Sequence, residues 1–153
     1  MRIHRVGLTA VLCVLGLAVG LAADPHVGTW KLNEASSKLR GTARNHTVVY
    51  AEAGENMTIT IDGVDESGKN FKSEWTGKFD GKDYPVTGDA TADARQYIRA
   101  NPNRLNFVSK LAGKVALAGT VLVSADGKSR TVTVTGTDSK GMKVKYTAVY
   151  DKQ

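Results

Sequence analysis

The chain has 153 residues, a formal charge of +6 and one cysteine. That length suits one domain with a real core. The modest positive charge argues for solubility and against a nucleic-acid partner, and a lone cysteine excludes an internal disulfide framework.

The first 23 residues have the layout of a secretory signal. Arg2, His4 and Arg5 are followed by a nearly continuous apolar run from Val6 to Gly20, and then by small residues at Gly20 and Ala22, with Ala23 as a second cut site. The run is about 15 residues, short of the roughly 20 needed to span a bilayer. A cleaved signal is therefore expected over a retained anchor, and no transmembrane segment is expected after cleavage. Cys13 does not mark a lipoprotein, because Leu12 precedes it where a small residue is needed. Cleavage leaves a cysteine-free domain, 24–153, with a formal charge of +4, expected in the periplasm or outside the cell.

Within that domain, Gly28-Thr29-Trp30-Lys31-Leu32 reads as a first strand, and Glu34 to Asn45 shows no helical pattern. Met57, Ile59 and Ile61 alternate with polar residues, as in a strand with one buried face. Gly63 to Lys69 nearly matches a phosphate-binding loop. However, Asn70 stands where Ser or Thr would hold magnesium and two acids lie inside it, so it reads as a hairpin. Phe71, Ser73, Trp75, Gly77 and Phe79 share one face of the next strand. Thr91 to Ala100 fits a short helix or a strand. Val115 to Ser124 is apolar on both faces and is expected to be the most buried strand. Two further alternating strands are centred on Val132 and Val134, and on Val144, Tyr146 and Ala148.

Turn pairs such as Ala53-Gly54, Ala112-Gly113 and Asp126-Gly127 separate these runs at hairpin spacing. The pattern predicts an all-β antiparallel up-and-down meander of about 8–10 strands. Closure into a barrel would remove the exposed edges; a two-sheet sandwich is the alternative.

Catalytic chemistry is poorly signalled. His26 and His46 are the histidines left after cleavage, and both read as surface residues, His26 near a mobile end. No metal or cofactor site is expected, and neither a serine-nucleophile motif nor a carboxylate pair away from turns is present. An enzyme is the least favoured class.

Arg95-Gln96-Tyr97-Ile98-Arg99 is the most suggestive segment. If Tyr97 faces inward, Arg95 and Arg99 enter the barrel, where an anionic ligand group could pair with them. The cost of burying two unpaired cations favours the opposite orientation, with Ile98 inward. Charge is also uneven along the chain. From Asp24 to Asp93, 12 acids face 8 bases, whereas Ala94 to Gln153 has 3 acids against 11 bases. This hints at an anionic ligand or surface; mixing of the strands in space is the expected reason it would not matter.

The Gly28-x-Trp30 opening and the Val149-Tyr150-Asp151-Lys152 ending resemble the calycin group, the lipocalins and fatty-acid-binding proteins. The resemblance implies a lipocalin-like barrel, with Gly28 and Trp30 closing one end. It also implies a basic side chain over the tryptophan, for which Lys145 and Lys152 are the candidates. Two features depart from the group: Ala148 stands where fatty-acid binders place a ligand-holding arginine, and the helix pair after the first strand has no room.

Together these readings point to an exported bacterial-type barrel that binds a small apolar or amphipathic ligand, one form of it anionic. Its site would be drawn from Phe71, Trp75, Phe79, Arg95, Tyr97, Arg99 and Tyr146. The alternative is a filled barrel acting as an envelope interaction or stress module. Nothing in the sequence sets an oligomeric state.

Overall fold

The computed structural model describes residues 22–137 and 141–153; most of the stretch expected to be a signal lies outside them. Ten antiparallel strands follow one another: β1 (Gly28–Lys38), β2 (Arg44–Ala53), β3 (Asn56–Val64), β4 (Asn70–Gly77), β5 (Tyr84–Thr87), β6 (Ala94–Asn101), β7 (Arg104–Leu111), β8 (Lys114–Val123), β9 (Ser129–Thr137) and β10 (Lys143–Lys152). Each pairs with its neighbours in sequence, and β1 pairs with β10 to close the barrel. Closure satisfies the ladder groups an open meander would leave at its edges.

Short turns set the registers. The Gly63–Lys69 segment is the β3–β4 hairpin, where Asp65 Oδ1 accepts from the backbone N–H groups of Ser67 and Lys69 at 2.9 and 3.0 Å. Between β7 and β8 the reversal takes two residues, Ala112 (φ 50°) and Gly113 (φ 74°). Positive φ at both central positions matches the twist of a hairpin, and Ala112 adopts it despite its Cβ. Of Thr91–Ala100, the part from Ala94 onward resolves as strand and Thr91 to Asp93 stay in the β5–β6 loop, with Pro102 placed in the β6–β7 turn.

Alternation sorts the side chains. Trp30, Ile59, Trp75, Leu105 and Val121 point inward and are buried, in one core that also contains Tyr50, Tyr97 and Tyr150. β8 is not the most buried strand, since Val115 is 61% and Leu122 47% exposed. A closed barrel has one inner face per strand, so an apolar second face meets solvent rather than another layer. The two charge halves take different walls but meet in the ion pairs Asp24–Arg99, Asp83–Lys110 and Asp89–Arg95. Because the chain is an unbroken meander, β1–β5 form one wall and β6–β10 the other, so the acidic and basic halves of the sequence become opposite walls.

Candidate functional site

One end of the barrel is sealed by a cluster built on β1. Trp30 is fully buried, and its Nε1 donates to the His26 carbonyl at 2.8 Å. Gly28 (φ 133°) lies under Lys152, whose Cε would be 2.7 Å from a Cβ at that position, so a side chain there would have to move Lys152 and take a backbone conformation that favours glycine. Lys152 Nζ sits 5.2 Å from the centre of the Trp30 ring. Arg130 of β9 covers the same ring at 5.3 Å, and also Tyr50 at 4.9 Å and Tyr150 at 4.7 Å. Trp30 is thus buried at this end of the barrel, with Lys152 and Arg130 both over its ring. Arg130 was legible in the alternation Arg130, Val132, Val134, which puts all three on one face. It is 2% exposed, and no acceptor among the described residues meets its Nε or Nη1. The three ring faces supply its electrostatic compensation.

His26 is fully buried rather than a mobile surface residue, while His46 is exposed. The His26 ring lies 6.0 Å from Tyr50 and 6.4 Å from Phe79, and neither ring nitrogen has a hydrogen-bond partner among the described residues. Its position follows from anchoring of the segment before β1. Asp24 accepts from the His26 N–H at 3.0 Å and pairs with Arg99. Arg99 in turn stacks over Phe79 at 4.9 Å. Arg99 and Phe79 thus lie at this end, where with Asp24, Met57 and Lys78 they line an open cleft of about 320 Å³.

The second cluster is inside the barrel, around Arg95. Here Tyr97 faces inward and Ile98 is 48% exposed, which reverses the orientation favoured on desolvation grounds. The reason is that Arg95 is not unpaired. Its Nε donates to Ser109 Oγ at 2.7 Å, and its Nη2 donates to Asp89 Oδ2 at 3.3 Å, with side-chain exposures of 10% and 14% across the ion pair. Burial works against the Arg95 charge, but Tyr97, Asp89 and Tyr50 outweigh it and hold its pKa above the usual value. The Arg95 carbonyl accepts from Trp75 Nε1 at 2.8 Å, and the Trp75 and Tyr97 rings meet edge-on at 4.9 Å. Burial raises the Tyr146 hydroxyl, while the Arg95 charge pulls it the other way. Asp89 is in the β5–β6 loop, fixed by the Thr91 N–H at 2.8 Å and the Thr91 hydroxyl at 2.6 Å onto Oδ1. Nothing in the sequence marks a loop aspartate as the partner of a strand arginine.

The paired rows locate the space beside this cluster. Arg95, Ser109, Leu117, Gly136 and Val144 form one row, and Tyr97, Phe107, Gly119, Val134 and Tyr146 the next. Leu117, Val144, Phe107 and Tyr146 point inward yet are only half-buried, as is Phe71 on β4. A side chain that faces into a closed barrel and still reaches solvent must border space open to it. Trp75 and Tyr97, at 1% and 4% exposure, are instead part of the filled core below. Of the seven proposed ligand residues, Phe71, Arg95 and Tyr146 border the open part, Trp75 and Tyr97 underlie it, and Phe79 and Arg99 are at the Trp30 end.

No protein-family model and no curated protein matches the chain. Among solved structures, one described as EF1p2_mFAP2b bound to DFHBI is similar over 86% of this chain and 97% of its own, with 11% identity and a TM-score of 0.47. At that identity and score, the likeness says nothing about what this barrel holds.

Proposed function

We propose that the chain is exported, and that its calycin-like barrel binds a small apolar or amphipathic ligand in the open part of the lumen. The observation that carries this reading is the set of half-buried, inward-facing apolar residues, Phe71, Phe107, Leu117 and Val144, beside the buried Arg95–Asp89 pair. An apolar tail would lie on the first group, and a polar end would meet Arg95, Ser109 and the Tyr146 hydroxyl. Asp89 already occupies Arg95, so a ligand carboxylate has to displace it, whereas an alcohol does not. A second reading, the filled barrel, is favoured by the close packing of Trp30, Trp75, Tyr50 and Tyr97 over the sealed half.

Titration with a long-chain fatty acid and with the alcohol of the same tail, followed by tryptophan fluorescence, separates these readings. Both probes bind the wild type. In Asp89→Asn the acid tightens about tenfold or more, the scale of a charge-assisted hydrogen bond, while the alcohol is unchanged. Failure of both probes to bind a folded wild type would favour the filled barrel. Equal effects of Asp89→Asn on acid and alcohol would remove Arg95 from the site.

A further inference from the structure

The open mouth has one apolar and basic side whose role the lumen does not explain. The β7–β8 hairpin tip presents Leu111 at 44% and Val115 at 61% exposure, with Lys114 between them. β9 ends and β10 begins at the same end of the barrel, two strands on. There, a groove of about 470 Å³ is lined by Arg40, Lys143 and Lys145 together with Thr135, Gly136 and Thr137. Arg40 Nη1 donates to the Lys143 carbonyl at 3.4 Å, which ties the β1–β2 loop to this rim. No carboxylate lines the groove among the described residues. None of Arg40, Lys114, Lys143 and Lys145 joins an ion pair with a described residue, whereas Lys72, Lys78 and Lys110 each have one. The rim thus sets basic side chains that join no ion pair with a described residue beside protruding apolar ones; the carboxylates next to it, Asp93 and Glu66, accept from the Ala112 and Thr42 backbone N–H groups at 2.9 and 3.1 Å.

We propose that this side of the mouth docks on an anionic lipid bilayer. Leu111 and Val115 enter the boundary between headgroups and acyl chains, and Lys114, Arg40, Lys143 and Lys145 meet the phosphates. Charge complementarity selects a bilayer with anionic lipid over a neutral one, because basic residues near a surface gain from its negative potential. A hairpin tip with two apolar side chains supplies too little area for stable anchoring by itself, so both terms are needed. Docking in this orientation turns the open lumen toward the membrane.

All ten strands and the core they enclose lie within residues 24–153, so this segment folds on its own and avoids the apolar leader. Its co-sedimentation is measured with vesicles of phosphatidylcholine alone and with added phosphatidylglycerol. Binding appears with the anionic vesicles and falls as salt is raised. The triple variant Lys114→Gln, Lys143→Gln, Lys145→Gln loses about a hundredfold in partitioning. In a second measurement, Val115→Trp shows a blue shift of its emission with anionic vesicles only. Equal binding to both vesicle types, no loss in the triple variant, or no blue shift would each overturn the proposal. So would concentration-dependent dimers that Val115→Asp abolishes, since a second copy would then cover the rim. Vesicles are used without a lumen ligand, so failure here leaves the lumen reading intact.

Discussion

Replacing Trp30 with alanine is expected to cost about 3–5 kcal/mol of folding stability, the range for truncating a buried aromatic. The side chain is fully buried, and it does three things at once. It fills the sealed end, holds the segment before β1 through the His26 carbonyl, and gives Arg130 and Lys152 a ring face. Its loss leaves a cavity, an orphaned carbonyl and an Arg130 with one fewer aromatic face around its buried charge. A loss of this size is a large share of the stability of a domain this small. Chemical denaturation monitored by circular dichroism would show it, and an unchanged midpoint would remove Trp30 from its closing role.

Acid should destabilise the domain through His26 before most carboxylates titrate. Burial lowers its pKa from 6.5 to about 4; Asp24 opposes the shift, and Arg99, Arg130 and Lys152 reinforce it. The folded state therefore holds the imidazole neutral while the unfolded chain protonates it. Above pH 6.5 both states are neutral and the fold is not penalised. Between about 6.5 and 4 the unfolded state gains a proton that the folded state does not. Stability then declines with falling pH, by a total on the order of 3 kcal/mol, and this contribution levels off below pH 4. His26→Phe keeps a ring between Tyr50 and Phe79 and removes two buried nitrogens that have no hydrogen-bond partner among the described residues. It should flatten the decline and match or exceed wild-type stability at pH 7. An unaltered pH profile in His26→Phe would contradict the buried, neutral imidazole.

The strands were readable because a closed barrel needs only what period-two alternation and turn chemistry encode: one buried face and tight reversals. Ile59, Ser73 and Trp75 fell on the correct face for that reason, whereas Trp30 was placed by the Gly-x-Trp resemblance. Val115–Ser124 was misjudged because two apolar faces suggest a layer on each side, and the topology supplies only one. The orientation of Arg95–Arg99 turned on a loop residue, Asp89, six positions away. Desolvation alone argued for outward arginines, and a compensating carboxylate in a turn leaves no periodic trace. His26 was missed for a similar reason. A histidine near the start of a domain reads as mobile unless the partners that bury it, Tyr50, Phe79 and Trp30, are already placed around it.

The central claim is that the lumen holds a ligand in a protein that has been exported and processed. Native mass spectrometry of the protein purified from its own host tests both parts together. The predicted result is a chain mass beginning at Ala23 or Asp24 that carries a small-molecule increment, which leaves on denaturation. A native spectrum of the folded protein with the mass of the bare chain only, beginning at Met1, would contradict the account.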